Sequence, residues 1–133
     1  MYTKKIKLRV RYAETDQMKY AYYGVYAQYF EVGRVELLRS LGITYKELEN
    51  LGFELPVVNY NIDYKKPAFY DDELIIETTI KKLPSRKIVF DYRTLNAKGV
   101  VLNTAQTTLV FVDSKTRRPC QCPSILINKL KQV

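Results

Sequence analysis

Between residues 24 and 41, apolar or small residues recur at spacings of three and four: Tyr26, Phe30, Gly33, Leu37 and Leu41. Val25, Tyr29, Val32 and Leu38 widen that stripe, which leaves Gln28, Glu31, Arg34, Glu36 and Arg39 as the polar remainder. A helix with so broad an apolar face does not rest on a surface with one side in water; other structure has to enclose it. Gly42 supplies the stop. Gly33, inside the helix, costs about 1 kcal/mol relative to Ala. A close approach by a strand would account for it.

The rest of the chain supplies the enclosure. Residues 5–12 alternate, with Ile6, Leu8, Val10 and Tyr12 on one face and Lys5, Lys7, Arg9 and Arg11 on the other, as in a half-buried strand. Four more strand patterns follow the helix, over residues 55–64, 73–83, 86–96 and 100–112. Asp71-Asp72, Pro84-Ser85 and Lys98-Gly99 mark the turns between the last of these. A short helix is expected over 44–51, because Thr44 and Glu47 have capping-box spacing. Residues 123–133 form either a short helix or an irregular tail. The order of strand, long helix and four antiparallel strands defines an α+β domain, a sheet of about five strands wrapped around one central helix. The 133 residues contain no linker or repeat, so a single domain spanning 1–133 is expected.

Composition narrows the chemistry. The chain contains no histidine. This excludes Ser-His-Asp and Cys-His nucleophile systems and any acid–base scheme built on imidazole. The two cysteines, Cys120 and Cys122, fall short of a zinc ligand set, so no metal is expected. Reduced thiols, no apolar leader and no membrane-length apolar run lead to the expectation of a cytoplasmic protein without membrane insertion. The net charge of +8 attracts anions. Most aromatics fall at core periodicity rather than in an exposed stacking array, so nucleic acid is not the expected partner.

Three stretches carry a family likeness. The first is Arg11-Tyr12-Ala13-Glu14-Thr15-Asp16-Gln17-Met18, followed by Tyr22, Tyr26, Tyr29-Phe30-Glu31 and Arg34. The second runs from Tyr64-Lys65-Lys66-Pro67 to Asp71-Asp72-Glu73-Leu74. The third is the last strand up to Asp113, with Arg117-Arg118-Pro119 after it. Together they resemble the 4-hydroxybenzoyl-CoA thioesterase family, including its Tol-Pal-associated branch, over about residues 5–123. The resemblance implies the hotdog fold and hydrolysis of acyl-CoA, or of acyl carrier protein, thioesters. It makes Asp16 the catalytic carboxylate and implies a homo-oligomer, a dimer or dimer of dimers. No cofactor is implied, since coenzyme A is part of the substrate. The chain departs from the Tol-Pal pattern at Tyr23 and Val25, where that branch carries His and Asn.

This chemistry can run without imidazole. A thiol with a pKa near ~8.5 leaves with little acid assistance. A carboxylate can attack the carbonyl or act as base on water. The backbone N–H groups of Tyr23 and Gly24, at the start of the helix, lack intrahelical partners and sit at the positive end of its dipole, where an oxyanion could be held. Gly24 would let substrate approach the backbone closely. Glu31 is expected to pair with Arg34 or Arg11, and is the next carboxylate after Asp16 in line for catalysis. Lys65, Lys66, Arg86 and Lys87, with Lys81 and Lys82, are expected partners for the phosphates of coenzyme A; Lys115, Arg117 and Arg118 are a second option. The alternative reading is a non-enzymatic acyl-CoA-binding or regulatory module of the same fold.

Overall fold

The computed structural model describes residues 1–133. The first strand, β1 (Tyr2–Arg9), starts earlier and ends sooner than the alternation suggested. Val10 is buried as expected, but Tyr12 leaves the sheet and is exposed. The cause is Glu14. Its carboxylate accepts the Arg11 backbone N–H at 2.8 Å and Arg11 Nε at 3.0 Å, which curls Tyr12–Glu14 into a tight 3₁₀ turn.

A second 3₁₀ turn, Tyr23–Val25, leads into the long helix α1 (Tyr26–Ser40). Its buried face is Tyr26, Tyr29, Phe30, Gly33, Arg34, Leu37 and Leu38. Two assignments are corrected. Val32 is 46% exposed, while Arg34 is only 7% exposed. Arg34 lies four residues from both Phe30 and Leu38, hence on the buried stripe. Its Nε donates to the Tyr45 hydroxyl at 3.1 Å. Gly42, with φ of +83°, follows the helix in the left-handed conformation glycine favours.

The short helix α2 (Tyr45–Asn50) is capped by Thr44, whose hydroxyl accepts the Glu47 N–H at 3.1 Å. A two-residue strand that the sequence reading missed, β2 (Phe53–Glu54), pairs with β7 (Val112–Asp113). Between them in the chain come β3 (Val57–Tyr64), β4 (Glu73–Ile80), β5 (Lys87–Leu95) and β6 (Val101–Val110). The tail forms a helix, α3 (Ser124–Lys131), which buries Leu126 and Leu130. No helix is long and apolar enough to cross a membrane.

The five-stranded antiparallel sheet has the order β1-β4-β5-β6-β3. The strands therefore do not pair in simple chain order after the helix. β1 occupies the free edge of β4, and β3 crosses to the far side to pair with β6. α1 packs against β1 and β4, and Phe30 carries the contact on to β5. Phe30 stacks on Tyr92 with ring centroids 4.4 Å apart. The close approach expected at Gly33 is present, since a Cβ there would lie 2.5 Å from Thr78 Oγ1 and 3.1 Å from Ile76 Cγ2. The two edges differ in character. β1 exposes Lys4, Lys5, Lys7 and Arg9, whereas β3 exposes Val57, Val58, Tyr60 and Tyr64.

Candidate active site

Asp16 lies near the tip of a tight loop whose shoulders, Thr15 and Ala21, face each other across a single antiparallel bridge. An aspartate suits such a turn because its side chain can accept from backbone groups just ahead of it. Oδ1 does this twice, from the N–H of Met18 at 2.9 Å and of Tyr20 at 3.2 Å. The Asp16 N–H donates to the Tyr20 carbonyl at 2.9 Å, and Lys19 takes φ of +66° to close the turn. The second carboxylate oxygen, Oδ2, accepts no hydrogen bond, and the side chain is half-buried. One oxygen thus orients the group while the other is available for chemistry. The loop is pinned from outside: Ala21 N–H donates to the Ala68 carbonyl at 2.8 Å, and the Tyr20 ring meets Phe69 edge-on at 5.3 Å.

The chain then enters the turn that precedes α1. The Val25 N–H donates to the Tyr22 carbonyl at 2.9 Å, which leaves the N–H groups of Tyr23 and Gly24 without acceptors. The Tyr64 hydroxyl donates to the Tyr23 carbonyl at 2.8 Å. In a trans peptide the carbonyl and the following N–H point in opposite directions. The bond from Tyr64 on β3 therefore fixes the direction of the Gly24 N–H.

Asp16 and Tyr23 line one cleft of about 300 Å³, with Tyr20, Tyr26, Tyr64, Lys65 and Lys66. Gly24 faces an adjoining hollow of about 280 Å³ with Glu14 and Tyr22. The space beside its α-carbon is not open to a ligand. A Cβ there would lie 2.7 Å from the Tyr22 ring, so this glycine admits Tyr22 rather than substrate, which corrects the expectation from sequence.

Glu14 stands in the first family-like stretch with no role assigned from sequence, and the fold gives it a definite place. Its Oε1 accepts both the Arg11 N–H and, at 2.8 Å, the hydroxyl of Tyr29 on α1. Burial alone would raise its pKa, but the hydrogen bonds from Arg11 and Tyr29 outweigh burial and hold it below the usual 4.5. The same contact and burial push the Tyr29 phenol well above its ordinary value. The signal in the sequence was weak, because Glu14 and Tyr29 are 15 residues apart and meet only after the turn is made.

The remaining candidates scatter. Glu31 is exposed and pairs with neither expected partner, since Arg34 bonds Tyr45 and Arg11 bonds Glu14. Lys65 and Lys66 follow β3, at the Asp16 end. Arg86 precedes β5 and Lys87 begins it, at the opposite end of the sheet. Lys87 pairs across from Val110, whereas the Lys65 N–H bonds the Leu102 carbonyl, eight positions further back along the chain through β6. Within one chain the two basic pairs therefore stay apart. Lys81, Lys82 and Lys87 line a separate hollow of about 470 Å³. Of the second basic group, Arg117 is held by Glu54 at 2.6 Å.

One long helix in the grip of an antiparallel sheet, with a carboxylate loop at the start of that helix, is the architecture of a hotdog-fold thioesterase. Residues 10–130 match the thioesterase-like superfamily, and the chain belongs to it. It is 37% identical over 91% of its length to YneP of Bacillus subtilis (strain 168), provisionally named an acyl-CoA thioesterase, and covers 88% of that protein. It is 30% identical over 94% of its length to the acyl-CoA thioester hydrolase YbgC of Escherichia coli O157:H7, covering 93% of it. Among solved structures, the DHNA-CoA thioesterase of Staphylococcus aureus superposes with a TM-score of 0.87 at 34% identity, over 91% of this chain and 81% of that one.

Proposed function

We propose that the protein hydrolyses acyl-CoA thioesters, with Asp16 as the catalytic carboxylate and the Tyr23 and Gly24 N–H groups as oxyanion donors. The observation that carries this reading is a half-buried Asp16 with one oxygen fixed by two N–H groups and the other free. It shares a cleft with the unpaired backbone of a helix start. Membership of the superfamily and the names of the relatives support the reaction class.

The reaction consumes water and releases a carboxylic acid and the coenzyme A thiol. The free oxygen of Asp16 supplies the electron pair, either directly to the carbonyl carbon or to a proton of the attacking water. The developing oxyanion accepts from backbone N–H groups at the start of α1, where Tyr23 lines the Asp16 cleft and Gly24 lines the second hollow. The C–S bond then breaks, and the thiolate departs without a dedicated acid; on the direct route water next hydrolyses the acyl–Asp16 anhydride, and on either route the proton released from water ends on the thiolate or in solvent.

The distribution of the basic pairs favours an oligomeric site. β3 and β5 run in the same direction, so Val57 and Lys87 mark one end of the sheet and Tyr64 and Lys65 the other. If β3 pairs antiparallel with β3 of a second copy, Arg86 and Lys87 come to the end that holds the second copy's Asp16. The distance is about three strand spacings, ~14 Å. That span suits a coenzyme A whose thioester lies at Asp16 and whose phosphates lie beyond. Within this reading, an acyl carrier protein would present the same pantetheine arm.

The test is thiol release from a panel of short, long and aromatic acyl-CoAs. Asp16→Asn should reduce turnover by ~100-fold or more, equal to ~3 kcal/mol of transition-state stabilisation, with the fold retained by circular dichroism. Turnover within about threefold of wild type, less than ~1 kcal/mol, would remove Asp16 from the mechanism. Tight binding of acyl-CoA with no thiol release by the wild type would instead favour a binding module.

A further inference from the structure

Glu14 occupies a distinctive position between the two halves of the site. Its backbone carbonyl accepts the N–H of Tyr22, the residue immediately before the Tyr23–Val25 turn, at 2.7 Å. Its side chain reaches the Tyr29 hydroxyl, in the first full turn of α1, at 2.8 Å, and is only 10% exposed. Two residues further on is Asp16. The loop that carries the carboxylate is therefore tied to the helix that carries the N–H donors at two points. Both ties run through one residue.

We propose that Glu14 and Tyr29 act as a positioning pair that sets the Asp16 carboxylate relative to the oxyanion donors at the start of α1. This rests on the reading of Asp16 as the catalytic carboxylate. The physical argument is one of leverage. The Asp16 turn is closed by its own hydrogen bonds and docked on Ala68 and Phe69, so it moves together with that segment, joined to α1 through Glu14 and Tyr22. Without the side-chain tie, that unit can still form but can tilt against α1. A reacting group misplaced by ~1 Å can lose up to ~100-fold in rate. Arg11 completes the arrangement, because its N–H and guanidinium hold the Glu14 carboxylate where Tyr29 can reach it. A carboxylate used only to end β1 would need Arg11 and not Tyr29. The bond to the helix is the part that a purely local role leaves unexplained.

The experiment is a double-mutant cycle on steady-state kinetics with Glu14→Gln, Glu14→Ala, Tyr29→Phe and the Glu14→Ala/Tyr29→Phe pair, beside Asp16→Asn as reference. Tyr29→Phe removes only the hydroxyl and should lower kcat by ~10-fold with KM within about twofold. Glu14→Gln keeps an acceptor for Tyr29 and should fall less than Glu14→Ala. The double variant should be no slower than Glu14→Ala alone, because both changes release one tie. All rates are read well below each variant's melting temperature, where a cooperative two-state domain stays folded. Melting temperatures that fall while kcat stays at the wild-type value in Tyr29→Phe would overturn the proposal and leave Glu14 a purely structural anchor. Additive losses in the cycle would overturn it as well. If Glu14→Ala does not fold, Tyr29→Phe and Glu14→Gln still decide it. Turnover retained in Asp16→Asn would defeat the underlying reading instead, a distinct outcome.

Discussion

At the residue scale, the lack of histidine and the burial of the tyrosines together shape the expected pH behaviour. Burial pushes Tyr26, Tyr60 and Tyr92 up to about 12, and burial followed by the Glu14 bond pushes Tyr29 higher still. These phenols stay neutral through the physiological range. Glu14 moves the other way: its folded pKa lies below 4.5, so its contribution is fully present above the unfolded value and is lost as pH falls through the folded one. The groups around it are Arg11 on its own turn and Tyr29 on α1, whose raised phenol stays neutral through the physiological range. We therefore expect kcat/KM for a stable aliphatic acyl-CoA to be flat from about pH 6 to 8, since an unperturbed imidazole would titrate near ~6.5 and none exists. A single-proton limb near ~6.5 would contradict this. Asp16 could be proposed at this scale because it sits inside a local motif. Glu14 and Tyr29 could not, because what they do depends on where the turn points the helix.

At the element scale, periodicity located α1 and four of the five sheet strands to within a few residues of their ends, and β1 less closely. The errors came where local polar groups overrode the pattern. β1 ends at Arg9 because the Glu14 carboxylate captures the Arg11 N–H. Arg34 is buried because the stripe passes through it, whatever its charge, and the Tyr45 hydroxyl receives it. Gly33 was legible as a point of close approach, and the structure names its neighbours. Gly33→Val should therefore destabilise the protein by ~2 kcal/mol or more through overpacking against Thr78 and Ile76. Differential scanning calorimetry would read this as a melting temperature lowered by roughly 3–4 °C per kcal/mol. An unchanged melting temperature would show that β4 can move away from the helix.

At the scale of the whole molecule, the unequal edges of the sheet carry the main prediction. β1 displays a row of basic side chains that discourages pairing, whereas β3 leaves Val58 58% exposed beside Val57, Tyr60 and Tyr64. We expect at least a dimer formed through β3. Light scattering at micromolar concentration should give at least twice the chain mass of 15.6 kDa. Val57→Lys with Val58→Lys should shift the protein towards monomer and raise KM for acyl-CoA, because Arg86 and Lys87 would lose their place beside the second copy's cleft. A wild-type particle of 15.6 kDa would refute the dimer. A monomeric variant with unchanged KM would place the phosphates elsewhere.

The sequence by itself determined what depends on near neighbours in the chain. The helix stripe, the strand alternation, the glycine stops and the Thr44 cap each follow from side chains within a few residues of one another. The zero histidine count excluded whole classes of chemistry without any structure. The tertiary structure decided what depends on distant segments meeting. It sent β3 to the far edge of the sheet, because β1 already occupied the edge of β4. It separated the two basic pairs, filled the space at Gly24 with Tyr22, and brought Glu14 to Tyr29. A local pattern records which face of an element avoids water, but not which other face will cover it. That choice is made by the packing of the whole chain.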